Sequence, residues 1–163
     1  VSISKAEQDS LIYNTAFMKF SEGDYAVANT TFTSYIQKFE NGIFINDAKY
    51  YNAVSALNVG DTASAIVLYN DVIETAVFTY QEPSLTFLAR KYYKSGNFEL
   101  SNKYYQVLEG VASTNSLKRE AVIRLMYGNE NTNNDLAFTY AKEVIQLEKT
   151  DELFFLTLDL KLL

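Results

Sequence analysis

Apolar residues recur at three- and four-residue steps along most of the chain, which is the spacing of one face of an α-helix. Residues that interrupt helices are scarce, since 163 residues include six Gly and one Pro. Strand-rich sandwiches usually need more such residues, so the pattern favours long helices joined by short loops. We therefore predict an all-α fold in one domain over residues 1–163.

Residues at the element boundaries divide this pattern into nine helices. Ser4 and Glu7 form a capping-box pattern, and Thr150 precedes two acidic residues of the kind that favour a helix start. Asn46 precedes an apolar-periodic run, and Pro83 suits the first turn of a helix. The nine predicted helices span residues 4–21, 24–39, 46–59, 61–78, 83–95, 97–111, 115–128, 133–148 and 150–163.

The predicted helices repeat in pairs. A glycine followed by Asp or Asn recurs at Gly23, Gly60 and Gly96, at intervals of 37 and 36 residues. We expect each glycine to adopt positive φ at the end of a first helix, and the next residue to cap the second helix. Small residues, which let helix axes approach closely, stand at matching positions. They are Ala16, Ala53, Ala89 and Ala121 in the first helices and Ala28, Ala65, Ser101 and Ala137 in the second.

A weaker fourth copy contains Gly128, after which an insertion of about four residues precedes the second helix. The repeats then cover approximately residues 4–40, 46–78, 83–111 and 115–148, with a half repeat at 150–163. Because this last helix has no partner helix, we expect the chain to be part of a longer array.

This repeat resembles the tetratricopeptide repeat, whose period is about 34 residues. The pattern of Ala16, Gly23, Asp24, Tyr25 and Ala28, followed by large aromatic residues, is most similar to the bacterial cell-envelope type. That type occurs in the periplasmic Tol-Pal coordinator and in outer-membrane assembly lipoproteins. The resemblance implies a right-handed superhelical solenoid of antiparallel helix pairs. It also implies a periplasmic or envelope location, with the cytoplasm as the alternative.

In this family the first helices line a concave groove that binds a protein or peptide partner. The corresponding positions are Tyr13, Asn14, Phe17 and Phe20; Tyr50, Tyr51, Val54 and Leu57; Thr86, Phe87, Arg90, Tyr93 and Lys94; and Lys118, Arg119, Val122 and Leu125. These residues predict a groove that is aromatic at its N-terminal end and basic at its C-terminal end. A peptide with apolar anchors followed by acidic residues would match it.

Two other interpretations of these residues stay open. Aromatic residues at helical spacing are often part of the core, and basic residues often form a solvated helix face. The Tyr-rich surface could alternatively stack on a glycan or another small ligand. The apolar tail Leu153–Leu163 could mediate self-association, although it is too short to span a membrane and contains two charged residues.

Composition excludes several kinds of chemistry. The net charge of −6 argues against a nucleic-acid partner, which would require a basic face. The chain has no Cys and no His, so thiolate nucleophiles, the commonest general base and most zinc ligands are missing. The alternating polar residues from Asn129 to Asp135 fail the calcium-loop pattern, and a polar turn is favoured. We therefore predict a scaffold without catalytic activity or cofactor.

Overall fold

The computed structural model describes residues 3–75 and 78–161, with side chains described up to residue 148. Within these residues the only regular secondary structure is α-helix, apart from turns, which confirms the predicted all-α class. The helices are α1 (Lys5–Ser21), α2 (Tyr25–Lys38), α3 (Ile45–Asn58), α4 (Thr62–Glu74), α5 (Phe78–Lys94), α6 (Phe98–Val111), α7 (Asn115–Asn129) and α8 (Asn134–Lys161).

The predicted turn chemistry is present in three of the helix pairs. Gly23, Gly60 and Gly96 have φ values of 79°, 87° and 75°, in the left-handed region that glycine adopts without strain. In each pair the side chain of the next residue accepts a hydrogen bond from a backbone N–H in the first turn of the following helix. The accepting residues are Asp24, Asp61 and Asn97, and the donors are Val27, Ser64 and Leu100.

One predicted helix start is wrong, and another is displaced by one residue. Pro83 lies in the second turn of α5, because that helix begins at Phe78. A proline this close to the N-terminus removes only one backbone hydrogen bond, which the helix tolerates. Asn46 lies within α3, which begins at Ile45 after Phe44 and has no side-chain cap. The predicted capping box of Ser4 and Glu7 is confirmed.

Gly128 does not form the turn of the fourth pair. It is buried within α7, which continues to Asn129, and a Cβ added to it would collide with the side chain of Asn102 on α6. Glycine at this position therefore permits a close approach of α7 to α6. The cap of α8 is Asn133, whose Oδ1 accepts a hydrogen bond from the backbone N–H of Leu136 at 3.1 Å.

One long helix occupies the region where two were predicted. The sequence predicts helices at 133–148 and 150–163, whereas α8 runs without interruption from Asn134 to Lys161. No Gly or Pro occurs in this stretch, so nothing in its sequence forces a break. Thr150 is an interior residue of α8 and not a cap.

The chain forms two compact units, one up to Ser84 and one from Leu85 onward. In the first unit α1 packs on α2, α2 on α3 and α3 on α4, so neighbours in sequence are neighbours in space. Phe32 and Tyr35 are completely buried at the centre of the packing between α1, α2 and α3. The predicted small residues of this unit are also completely buried: Ala16, Ala28, Ala53 and Ala65.

The second unit repeats this arrangement, since α6 packs on α7 and α7 packs on α8. The Oγ of Ser101 on α6 donates a 3.2 Å hydrogen bond to the carbonyl of Ala89 on α5, so these two helices also touch. Ser101, Ala89 and Ala121 are completely buried, as their small size predicts, whereas Ala137 is half-buried. Both units are thus built from helix pairs with closely approaching axes.

Candidate functional site

The predicted partner-binding residues are divided between the two units. The aromatic set lies on α1 and α3 of the first unit, and the basic set lies on α5 and α7 of the second. The prediction of one continuous groove that joins them stays a prediction.

Tyr13 belongs to the core and not to an open surface. Its side chain is 8% exposed, and its ring stacks on that of Phe44 with 4.3 Å between ring centroids and an angle of 8°. It also meets Tyr35 edge-on at 5.9 Å. The structure therefore corrects the prediction that this side chain faces a partner, because the α2–α3 connection containing Phe44 covers its ring.

The other aromatic residues of the first unit form a partly exposed cluster. Phe17 is 36% exposed and packs against the edge of Tyr51 at 4.9 Å, and Tyr50 stacks on Tyr80 at 4.5 Å. Tyr50, Tyr51 and Val54 are half-buried, and Asn14 is exposed. Most ring faces in this cluster are consequently covered by other rings, and Phe17 has the largest exposed fraction among these rings.

Tyr80 was missed by the sequence analysis because it fell in a predicted loop. Its hydroxyl donates a 2.6 Å hydrogen bond to the Oδ1 of Asp47, which fixes the start of α5 against α3. Burial, and then the hydrogen bond with Asp47, raise the pKa of Tyr80 well above its usual value. Its hydroxyl is therefore protonated and acts as a donor at neutral pH.

In the second unit Arg90 and Glu120 form a two-pronged ion pair between α5 and α7. The Nε of Arg90 lies 2.7 Å from Oε1 of Glu120, and the Nη2 lies 2.5 Å from Oε2. Glu120 also accepts a hydrogen bond from the hydroxyl of Tyr105 on α6 at 3.1 Å. Arg90, through its hydrogen bonds, lowers the pKa of Glu120, so that the carboxylate is ionised at neutral pH.

Arg124 lies beside this pair. Its guanidinium carbon is 4.5 Å from the centre of the Tyr93 ring, which is the geometry of a cation–π contact. Together with exposed Lys94, these side chains line an open groove of about 640 Å³ between α5 and α7. Three cations and one carboxylate leave the groove with a net charge of +2, whereas the whole chain carries −6. The groove is consequently suited to an anionic group.

The groove includes only part of the predicted basic set. Arg90, Tyr93 and Lys94 line it, whereas Lys118 and Arg119 are half-buried residues outside its lining. Phe87 is likewise half-buried on α5 and outside the lining. The third basic side chain of the groove is Arg124.

Val122 is completely buried, which corrects its assignment as a partner contact. The helix α7 packs on both α6 and α8. These two neighbours cover more of its surface than is expected for a helix that lines a groove. The α7 residues facing α5 are Glu120 and Arg124, four positions apart on one helix face. The sequence signal for this groove was the pair of opposite charges four residues apart in α7, together with Arg90 about one repeat earlier.

In the described parts of the chain, the polar side chains outside the groove are not arranged as a metal site. Residues 3–75 and 78–148 contain no group of three or more carboxylates placed to hold a metal ion. The polar residues after α7 serve helix ends: Asn129 donates to the carbonyl of Leu125 at 2.7 Å, and Asn133 caps α8. Among the described helices, none is long and apolar enough to cross a membrane.

Comparison with known proteins does not assign this chain to a family. No protein-family model matches this chain, and a search of the curated proteins found no match. The resemblance to tetratricopeptide repeats therefore stays a prediction from the repeated residues.

Proposed function

We propose that this chain is a non-catalytic protein–protein interaction scaffold, built from tetratricopeptide-like helix pairs, that binds acidic segments of a partner protein. The observation that carries the proposal is the groove between α5 and α7. Its two uncompensated positive charges oppose the sign of the chain as a whole. Such a local reversal of charge attracts anionic groups to the groove.

The groove contains one cation already paired and two that are available. Because Glu120 holds Arg90 in place, Arg90 contributes mainly to the shape and charge of the groove, and less as a hydrogen-bond donor to a ligand. Arg124 is oriented by the Tyr93 ring, and Lys94 is exposed at the rim. A carboxylate entering the groove would accept hydrogen bonds from Lys94 and Arg124, and Tyr93 would supply an apolar contact for a neighbouring side chain.

The larger architecture is part of the same proposal. The closely packed pairs and the three glycine turns fit a right-handed superhelix in which first helices line the binding face. The resemblance of the repeat to envelope-type sequences favours a place within a larger bacterial cell-envelope protein. Self-association through the tail Leu153–Leu163 falls on residues whose side chains lie outside the described part of the chain.

A glycan-binding role has less support. Sugar rings stack on open aromatic faces, but Tyr50 and Tyr80 cover each other and Tyr13 is covered by Phe44. Phe17 is the aromatic side chain of the predicted set with the largest exposed fraction among those measured, at 36%. One partly exposed ring offers little area for a saccharide. Thermal melting with oligosaccharides would detect such binding if it occurred.

The proposal is tested with a fluorescein-labelled peptide of two leucines followed by four glutamates, and with a matched peptide in which glutamines replace the glutamates. We expect fluorescence anisotropy to show salt-sensitive binding of the acidic peptide and much weaker binding of the neutral one. Lys94→Glu should weaken binding at least tenfold, because it removes a charged hydrogen bond of about 1.5 kcal/mol and adds repulsion.

Lys103→Glu is the matched control, since it changes the net charge equally at an exposed position of α6 outside this groove. Equal effects of the two variants would show that only overall charge matters. Equal binding of the acidic and neutral peptides would also contradict the proposal.

A further inference from the structure

A second groove lies in the first unit, between α2 and α4, which are the second helices of the two pairs. Its volume is about 640 Å³, and α2 contributes Asn29, Thr33 and Gln37 to one wall. These three residues are spaced four positions apart, so they form a line along one face of the helix. The groove includes none of the residues that the sequence analysis assigned to a partner.

The spacing of this polar line matches an extended polypeptide. Residues four apart on an α-helix are separated by about 6 Å along its axis. In an extended chain, backbone groups that point the same way recur every second residue, at about 6.6 Å. Asn29, Thr33 and Gln37 could therefore meet successive backbone groups of a strand of about five residues lying along α2.

The polar line is held in place from below. The Nδ2 of Asn29 donates to the Oδ1 of Asn52 at 2.8 Å, and the Nδ2 of Asn52 donates to the Oγ1 of Thr33 at 3.1 Å. Asn52 is 3% exposed, so these bonds are shielded from water. This arrangement uses one N–H of Asn29 and leaves its second N–H and its Oδ1 for another partner. Gln37 is exposed at the end of the line.

The opposite wall has a different character. Val67 on α4 is 62% exposed, and Leu68 beside it is half-buried. Among the described lining residues the only charged side chain is Asp61, at the N-terminus of α4. Hydrogen bonds from Ser64 lower the pKa of Asp61, so it is ionised at neutral pH. This wall fits apolar side chains, with a cation at the Asp61 end.

The second unit contains the same amide position. Asn29 and Thr33 stand five and nine residues after the capping residue Asp24, and Asn102 and Gln106 stand five and nine residues after Asn97. Asn102 and Gln106 line a groove of about 430 Å³ in that unit. The Oδ1 of Asn102 is buried there without a hydrogen-bond partner. An amide in a groove therefore occurs at this place in both units, once with an unsatisfied polar atom.

We infer that the α2–α4 groove is a second peptide-binding site, which takes an extended segment of a partner polypeptide. The segment would bond its backbone to Asn29, Thr33 and Gln37, place apolar side chains on Val67, and carry Lys or Arg beside Asp61. It is chemically opposite to the acidic segment proposed for the α5–α7 groove. The two sites would thus select different stretches of partner sequence.

The test uses the full 163-residue chain. An isotope-labelled sample is titrated with the acetylated, amidated peptide Lys-Val-Thr-Val-Thr and with the same peptide N-methylated at alternate backbone nitrogens. We expect saturable chemical-shift changes confined to α2 and α4, and at least tenfold weaker binding of the methylated peptide. Gln37→Ala and Val67→Glu should each weaken binding severalfold.

Val27→Glu is the matched control for Val67→Glu, because Val27 is also exposed, at 44%, but lies outside this groove. It should leave the titration unchanged, as should Lys94→Glu in the other groove. Shifts confined to α5 and α7, no saturable shifts, or equal binding of the methylated peptide would each overturn the inference.

Discussion

The hydroxyl of Tyr35 donates a 2.6 Å hydrogen bond to the Oδ1 of Asp9, and neither side chain is more than 7% exposed. The Oδ2 of Asp9 accepts from the backbone N–H of Ile43, and the Tyr35 hydroxyl accepts from that of Phe44. Two side chains from α1 and α2 therefore satisfy the backbone of the connection to α3. Because Phe44 covers Tyr13, this network also supports the packing of the first unit.

Replacing Tyr35 with Phe should lower the free energy of unfolding by about 2 kcal/mol. The change removes a hydrogen bond to a buried carboxylate and leaves the N–H of Phe44 without its acceptor. Urea denaturation followed by circular dichroism would measure the loss. Tyr25→Phe is the control, since Tyr25 is half-buried and has no hydrogen bond in the described residues. Equal losses in the two variants would show that the network adds no stability.

Stability should fall as the pH rises above about 10, the pKa of tyrosine in an unfolded chain. Burial raises the folded-state pKa of several tyrosines, so above this pH the unfolded chain loses protons that the folded protein keeps. Each such group lowers the free energy of unfolding by about 1.4 kcal/mol per pH unit, up to its folded-state pKa. The increase is largest for Tyr13, Tyr35, Tyr69, Tyr80 and Tyr105.

Urea denaturation between about pH 8 and about pH 11 would measure this slope. Tyr13→Phe is an informative variant, because Tyr13 is buried and no hydrogen bond of its hydroxyl occurs in the described residues. This variant should reduce the slope of the free energy of unfolding above about pH 10 by the contribution of one tyrosine. It should change the free energy of unfolding little at neutral pH. An unchanged slope would mean that Tyr13 titrates normally in the folded protein.

Substitution of two glycines by alanine should have opposite effects. Gly60 has a φ of 87°, so Gly60→Ala forces an L-residue into the left-handed region and should cost about 1–2 kcal/mol. Gly110 lies near the end of helix α6 without positive φ, and Gly110→Ala should stabilise the protein by about 0.5 kcal/mol. An added Cβ meets no atom within 4 Å at either position, so only the backbone differs. Thermal or urea unfolding of both variants checks the sign.

The elements that the sequence predicts well are those fixed by local chemistry. Gly60 and Asp61 determine a turn through φ and a side-chain cap, and both depend on residues only a few positions away. The completely buried Ala53 was predictable for the same reason, because its small size at a repeated spacing requires close helix packing. The predicted break of α8 at Thr150 is wrong, because a capping residue does not end a helix in which no Gly or Pro follows.

The binding surface was less predictable because it depends on contacts between helices. The repeat register assigned Val122 to the partner-binding groove, but the packing of α7 on two neighbours buries it. Arg124 was missed because its role depends on the Tyr93 ring across the groove, thirty-one positions earlier. Side-chain partners at such separations follow from packing geometry, which one sequence does not specify.

The ion pair between Arg90 and Glu120 should contribute a measurable coupling energy. Their side chains are 56% and 26% exposed, so solvent screens the pair, and we expect about 0.5–1 kcal/mol from a double-mutant cycle with Arg90→Ala and Glu120→Ala. The coupling should depend on pH in one direction. Since Arg90 lowers the folded-state pKa of Glu120, the stabilisation is present above the unfolded-state pKa of about 4.3 and is lost as the pH falls through the folded-state pKa.

The same cycle repeated in acid separates this pair from packing effects. Protonation of Glu120 removes its charge but not its contacts, so the coupling energy should approach zero at a pH well below the folded-state pKa. A coupling that stays constant with pH would mean that the side chains interact through packing alone. In that case packing against Glu120, and not its charge, would hold Arg90 in the groove.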